Sequence, residues 1–152
     1  MTRGFTPCAT HPIPPSTRPA ITPILPSMSR AGESTHRVGR GFEDLVAKHL
    51  GERGWTILDR NIRFGRREID LVIRRGSVVA FVEVKGRRGP GYGHPLHAIT
   101  WKKRREIAAV ALWWIQRFGS ADLVYRFDAV AVEPEGDGGF AIRHVEDAWR
   151  LE

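Results

Sequence analysis

Residues 68–85, from Glu68 to Lys85, read EIDLVIRRGSVVAFVEVK. The run divides into two strands joined at Arg74-Arg75-Gly76-Ser77, an antiparallel hairpin. In the second strand Val78, Ala80, Val82 and Val84 point one way, and Val79, Phe81, Glu83 and Lys85 the other. Both faces begin apolar, which predicts a strand covered on both sides and central in its sheet. Glu83 and Lys85 then close the strand on a single face, while Asp70 shares a face with Val72 in the first strand. Charges on a half-buried strand are costly unless they are paired, solvated at an edge or holding a metal.

On the N-terminal side, Asn61-Ile62-Arg63-Phe64-Gly65 connects a short strand, Trp55–Asp59, to the hairpin. Before it, Phe42, Leu45, Val46, His49 and Leu50 fall at i, i+3, i+4, i+7 and i+8, one face of a helix that Gly54 ends. Order is expected from near Gly39. Glu43 sits on the border of that face, ~100° round from Phe42, where a carboxylate is either simply solvated or functional. His49 reads as a packed histidine rather than a ligand.

Residues 1–36 are a different material. Seven of the ten prolines lie there, among Thr and Ser, with no acid before Glu33. Such a segment has too little apolar mass to offset its ordering entropy. It reads as a disordered tail, with 37–152 as one folded domain. Met28 followed by Ser29-Arg30-Ala31-Gly32-Glu33 offers an alternative start, which would make 1–27 an over-extended reading frame.

On the C-terminal side, Gly86 to Pro95 holds four glycines and two prolines and reads as a loop walling the end of the second hairpin strand. Arg87, Arg88 and Tyr92 in it are candidate contacts to nucleic acid, or simply a solvated basic loop. Trp101 to Phe118 is a second helix, its apolar face formed by Ile107, Val110, Ala111, Trp114, Ile115 and Phe118, and Gly119 stops it. Lys102, Lys103, Arg104 and Arg105 crowd its first turns and oppose the helix dipole, which points to an anionic partner or to a solvated face. Trp113 and Trp114 cannot both face one core. Leu123–Glu133 is an internal strand in which Arg126 and Asp128 share a face and can pair. Phe140–Val145 is a last strand and Val145–Leu151 a closing helix or tail. The order α-β-β-β-α-β-β gives an α/β fold with a mixed central sheet of about five strands flanked by helices.

Composition narrows the function. The chain carries +7 net charge, and of its 24 basic residues only Lys48, Lys85, Lys102 and Lys103 are lysines. Either the excess serves a polyanion, with nucleic acid foremost and an anionic membrane a distant second, or it reflects the coding composition. The single Cys8 excludes an internal disulfide and a cysteine metal cluster. No apolar run approaches the ~20 residues of a membrane helix, and no signal peptide is evident, so a cytoplasmic protein without membrane partners is expected.

An acid, then acid-x-lysine 13 residues later on a neighbouring strand, is also how metal-dependent nucleases are built. Together with Gly39-Arg40-Gly41-Phe42-Glu43, Asn61-Ile62-Arg63, Lys103 and Arg126-Phe127-Asp128, the motifs Glu68-Ile69-Asp70-Leu71 and Phe81-Val82-Glu83-Val84-Lys85-x-Arg87 resemble the YraN-type family of uncharacterised bacterial proteins. The resemblance spans about residues 37–150. Phe42 stands where the family usually has a small residue, and Arg67 where glycine is common.

The resemblance implies a restriction-endonuclease-like core, similar to that of Holliday-junction resolvases, and a Mg²⁺-dependent endonuclease acting on DNA, branched or flapped structures included. Mn²⁺ would substitute for Mg²⁺. By the same resemblance Asp70 and Glu83 match the metal-holding acids, with the Val84 carbonyl as a third ligand and Glu43 adding one directly or through water. Lys85 matches the lysine that orients or polarises the attacking water. Arg63 joins the candidate nucleic-acid contacts, and a homodimer is compatible with this reading. The competing expectation is a nucleic-acid-binding module of the same fold, without catalysis or dependent on a partner. The plainest alternative is a structural salt bridge at a strand end.

Overall fold

The computed structural model describes residues 33–86 and 99–150. In chain order they form α1 (Glu33–Glu52), β1 (Thr56–Phe64), β2 (Arg67–Arg75), β3 (Val78–Gly86), α2 (Trp101–Phe118), β4 (Val124–Pro134) and β5 (Phe140–Trp149). The strands lie side by side in that same order in one sheet. β3 and β4 are parallel and every other pair is antiparallel, so this is the expected mixed α/β sheet in the expected order. A parallel pair cannot be closed by a hairpin, and α2 lies in the connection that crosses between them.

The hairpin at the centre is tighter than its sequence implied. Arg75 pairs with Val78, leaving Gly76 and Ser77 as a two-residue turn, and Gly76 takes φ 60°, which suits a residue without Cβ. β3 is the middle strand, and its alternation divides the core as expected. Val79 and Phe81 pack with Ile107, Val110, Ala111 and Trp114 of α2, whereas Ala80 and Val82 pack with Val46, Ala47 and Leu50 of α1. One helix therefore covers each face of the sheet.

Three boundaries differ from the sequence reading. α1 begins at Glu33 rather than near Gly39. β1 runs on through the supposed connector to Phe64, with its register shifting between Ile57 and Asp59 and Asn61 at φ 50°. The closing helix or tail expected over 145–151 is instead, as far as Trp149, the second half of β5. Its register against β4 is irregular between Phe127 and Ala129, Asp147 sits at φ 47°, and the Asp147 N–H donates to Asp128 Oδ1 at 3.0 Å. A bulge held by a distant carboxylate breaks the alternation that would have marked a strand. Residues 1–32 of the tail expected over 1–36, and the loop carrying Arg87, Arg88 and Tyr92, lie outside the described residues, while 33–36 belong to α1. Among the described residues no helix is long and apolar enough to cross a membrane.

Candidate active site

β3 ends where the apolar layers of both helices run out, and there an open cleft of about 150 Å³ is lined by Glu43, Glu68, Asp70, Glu83, Lys85 and Lys103, with Phe42, Val84 and Gly86. Four elements meet in it. β2 supplies Glu68 and Asp70, β3 supplies Glu83 to Gly86, α1 supplies Phe42 and Glu43, and the first turn of α2 supplies Lys103. The four residues that the resemblance marks, Glu43, Asp70, Glu83 and Lys85, thus share one cleft.

Asp70 sits where the β2–β3 ladder stops. The pairing runs from Arg75 opposite Val78 to Leu71 opposite Val82, and beyond it the Val84 N–H donates to Asp70 Oδ2 at 2.7 Å. The carboxylate takes the place of a backbone acceptor, which satisfies one of its oxygens. Its pKa is pushed up to about 7, first by burial and then by the Glu83 charge, with Glu43 adding to the rise and the Val84 N–H and Lys103 opposing it. Near neutral pH this acid holds its charge at a cost.

Glu83 is only 2% exposed and is flanked by two ammonium groups. Lys85 Nζ lies 2.6 Å from Oε1, and Lys103 Nζ lies 3.3 Å from Oε2. The second contact is an ion pair without hydrogen-bond alignment, so the buried Oε2 keeps no aligned donor. Alignment is the stricter criterion for satisfaction, and by it Oε2 is open.

Phe42 closes one side. A Cβ on Gly86 would stand 2.3 Å from the Phe42 ring, so the glycine is what lets the ring lie against the strand end. The ring also meets Phe140 edge-on at 5.5 Å. Phe42 and Gly86 are matched in shape.

The donor set suits a hard divalent cation. Asp70 and Glu83 bring carboxylate oxygens, one of them buried and without an aligned donor, and magnesium characteristically takes one or two carboxylates and keeps several waters. Among the described residues no group of three or more His, Cys, Asp or Glu side chains is arranged to hold a metal, so a cation at the carboxylate pair would need main-chain and water oxygens to complete its shell. Among the described residues lining the cleft none supplies the imidazole nitrogen or thiolate sulfur that a zinc-type site would need.

The cations expected to meet nucleic acid divide into distinct environments. Lys102 and Arg105 are exposed. Lys103 turns into the cleft. Arg104 donates from Nε to the Ile99 carbonyl at 3.1 Å and lies over the Trp149 ring, so it fastens the start of α2 to β5. Arg63 is paired with Glu68 at 3.2 Å on the cleft's exposed rim. What the sequence reading missed is that Lys103 belongs to the acids. The signal was present, since counting back from Ile107, Val110 and Trp114 at helical spacing places Lys103 on the same face.

A second buried acid lies on the α1 side of the sheet. Asp128 is fully buried, with Arg126 Nε 2.9 Å from Oδ1 and Arg126 Nη2 donating to Oδ2 at 3.1 Å, while His144 Nε2 faces Oδ2 at 2.8 Å. The expected Arg126–Asp128 pair is present. Trp114, the inward member of the tryptophan pair, donates to Asp59 Oδ2 at 3.0 Å, and Trp113 stacks on Phe64 at 5.7 Å.

Comparison with known proteins agrees with the motifs. Residues 42–132 match the Uncharacterised protein family UPF0102. The chain is 43% identical over 115 residues to a UPF0102 protein of Symbiobacterium thermophilum, covering 76% of this chain and 98% of that one. It is 40% identical over 123 residues to a UPF0102 protein of Geobacter sulfurreducens, covering 79% and 96%. Among solved structures it is similar to SfsA of Pyrococcus furiosus in complex with Ca²⁺, at 18% identity over 74% of this chain and 63% of that one, with a TM-score of 0.32. That score is too low to bear on the fold, which rests on the strand order described above. The extent of the sequence match is decisive, and the chain belongs to the UPF0102 family, the YraN-type family its motifs resemble.

Proposed function

We propose that the cleft is the active centre of a Mg²⁺-dependent endonuclease that hydrolyses phosphodiester bonds in DNA. The observation that carries this reading is the pair of buried carboxylates, Asp70 and Glu83, at adjacent strand ends, one with a raised pKa and the other without an aligned donor on Oε2. Glu83 Oε2 has an ammonium at 3.3 Å but no aligned donor, which leaves it capacity for a further bond. Here the acids line a cleft open to solvent, beside a lysine, in a chain of +7 net charge.

Asp70, Glu83 and the Val84 carbonyl would hold the cation, and Glu43, across the cleft on α1, would act through water. Bound there, the cation would supply the positive charge that draws the phosphate oxygens in and lowers the pKa of water. Lys85 orients the attacking water or meets the charge that develops on the phosphate, anchored meanwhile by Glu83 Oε1 at 2.6 Å. Exposed Lys102 and Arg105 receive the nucleic-acid backbone beside the cleft. The restriction-endonuclease-like core implied by the motifs is consistent with the mixed sheet and its acid–acid-x-lysine strand ends.

The test is a plasmid-nicking assay with and without Mg²⁺, extended to four-way and flapped DNA. Wild type is expected to nick in Mg²⁺ or Mn²⁺ and not in chelator, and Lys85→Ala to be slower by roughly a hundredfold or more with little change in DNA affinity. Binding of these DNAs without cleavage under any of the conditions would replace the enzyme by a binding module of the same fold.

A further inference from the structure

Glu83 carries two ammonium groups that are not equivalent. Lys85 makes a short contact with Oε1, 2.6 Å, from the same strand. Lys103 reaches Oε2 from another element, at 3.3 Å, without hydrogen-bond alignment. Its main chain is fixed, because the Lys103 N–H donates to the N-cap Thr100 Oγ1 at 3.2 Å. Its side chain is a flexible four-carbon stem ending in a point charge. The backbone anchor and the loosely held head together make a cation that can change partners while α2 stays in place.

We propose that Lys103 is a placeholder cation, neutralising Glu83 Oε2 until a divalent cation binds, yielding that oxygen to the cation and then turning to the substrate phosphate. This rests on the reading of the cleft as a metal-dependent phosphodiesterase site. The physical argument is one of charge. Asp70 and Glu83 are both buried, and without a cation at Oε2 only Lys85 would balance them directly. An ammonium 3.3 Å from Oε2 and a divalent cation on the same atom repel one another, and the flexible stem of Lys103 lets the ammonium give way. Lys103 then leaves that oxygen, and the anionic group that any nucleic acid brings to the cleft is a phosphate.

The proposal separates two effects that a structural salt bridge would move together. Removing a competing positive charge tightens metal binding, while removing a phosphate contact slows the reaction. The experiment is a Mn²⁺ titration of the full chain without nucleic acid, followed by nicking at saturating Mn²⁺. Lys103→Met is expected to tighten Mn²⁺ binding by about tenfold and to slow nicking by about tenfold or more. Lys103→Arg, which keeps the charge, should stay within about twofold of wild type in Mn²⁺ affinity. Lys48→Met, an exposed lysine on α1, controls for net charge and should leave that affinity unchanged. Unchanged or weaker Mn²⁺ binding in Lys103→Met, in a wild type that does nick, overturns the placeholder and leaves the nuclease standing. Tighter binding in a protein that nicks nothing keeps the placeholder's exchange on Glu83 and removes the nuclease. A wild type that binds no Mn²⁺ overturns both.

Discussion

The protein buries acid on both faces of its sheet, and the two faces treat it differently. Asp128, on the α1 side, is enclosed by its own partners. The Asp147 N–H, Arg126 Nη2 and His144 Nε2 hydrogen-bond its two oxygens, and Arg126 is held in turn by Glu146 at 3.1 Å. Trp55 lies beneath the cations of Arg75 and Arg126, at 4.4 and 5.3 Å. Asp70 and Glu83, at the cleft, have fewer aligned partners. One backbone N–H reaches Asp70, and Glu83 Oε2 has an ammonium nearby with no alignment. A fully partnered buried charge fixes a geometry, here the bulge of β5, whereas an incompletely partnered one keeps bonding capacity for something absent. The contrast separates two roles that look alike in sequence, where both are an acid near an arginine or lysine on an apolar strand.

The strongest way to break this contrast is to remove Asp128. Asp128→Ala strands Arg126 and leaves the Asp147 N–H without its acceptor, at a cost of roughly 5 kcal/mol. Urea unfolding should show that loss, while Mn²⁺ affinity per folded molecule stays at the wild-type level. Retained stability would mean that the enclosure of Asp128 is incidental to the fold.

A smaller effect, of opposite sign, is expected at Asp70. Its folded-state pKa of about 7 lies above that of a free carboxyl. The native chain therefore binds the extra proton between the two values, so this group's contribution to stability is present at low pH and is lost as pH rises through 7. Asp70→Asn keeps an oxygen for the Val84 N–H and removes the titration. In chelator the variant should match wild type near pH 4 and exceed it at pH 8, by at most about 4 kcal/mol. Saturating Mn²⁺ should bring wild type up to the variant and leave the variant unmoved. If wild type keeps pace with Asp70→Asn across that window without metal, Asp70 is as well accommodated as Asp128 and the contrast disappears.

How much of this could be read from the chain follows the same division. The hairpin, its acids Asp70 and Glu83, and the helix at 101–118 were legible, because alternation and helical periodicity are local signals. β3's apolar residues on both faces placed it in the middle of the sheet. The second half of β5 was not legible, because Asp147 at φ 47° breaks the alternation for the sake of a bond to Asp128, 19 residues away. Asn61 at φ 50° similarly disguised the continuation of β1. At the cleft, the acids Asp70 and Glu83 and Lys85 were singled out by their spacing along two adjacent strands. Lys103 was grouped with its basic neighbours because its target, Glu83, is reached only once α2 has docked on β3, a contact between elements that sequence distance hides.

That misgrouping leads to the smallest effect. Lys102, Lys103, Arg104 and Arg105 look alike in sequence, yet only Lys102 and Arg105 stand exposed on α2. Arg104 is committed to the Ile99 carbonyl and the Trp149 ring, and Lys103 to Glu83. Backbone contacts to DNA from solvated cations release counterions, so each one removed should lower the salt slope of binding by about one. Lys102→Ala with Arg105→Ala should therefore reduce that slope by about two and change stability by less than about 0.5 kcal/mol. Arg104→Ala should do the reverse, loosening the start of α2 while moving the slope little. The measurement is DNA affinity at several salt concentrations, set beside urea unfolding of the same variants. A slope that falls equally for all three substitutions would mean that the helix start meets DNA as one undivided patch, and that the inward turn of Arg104 gives way when DNA is bound.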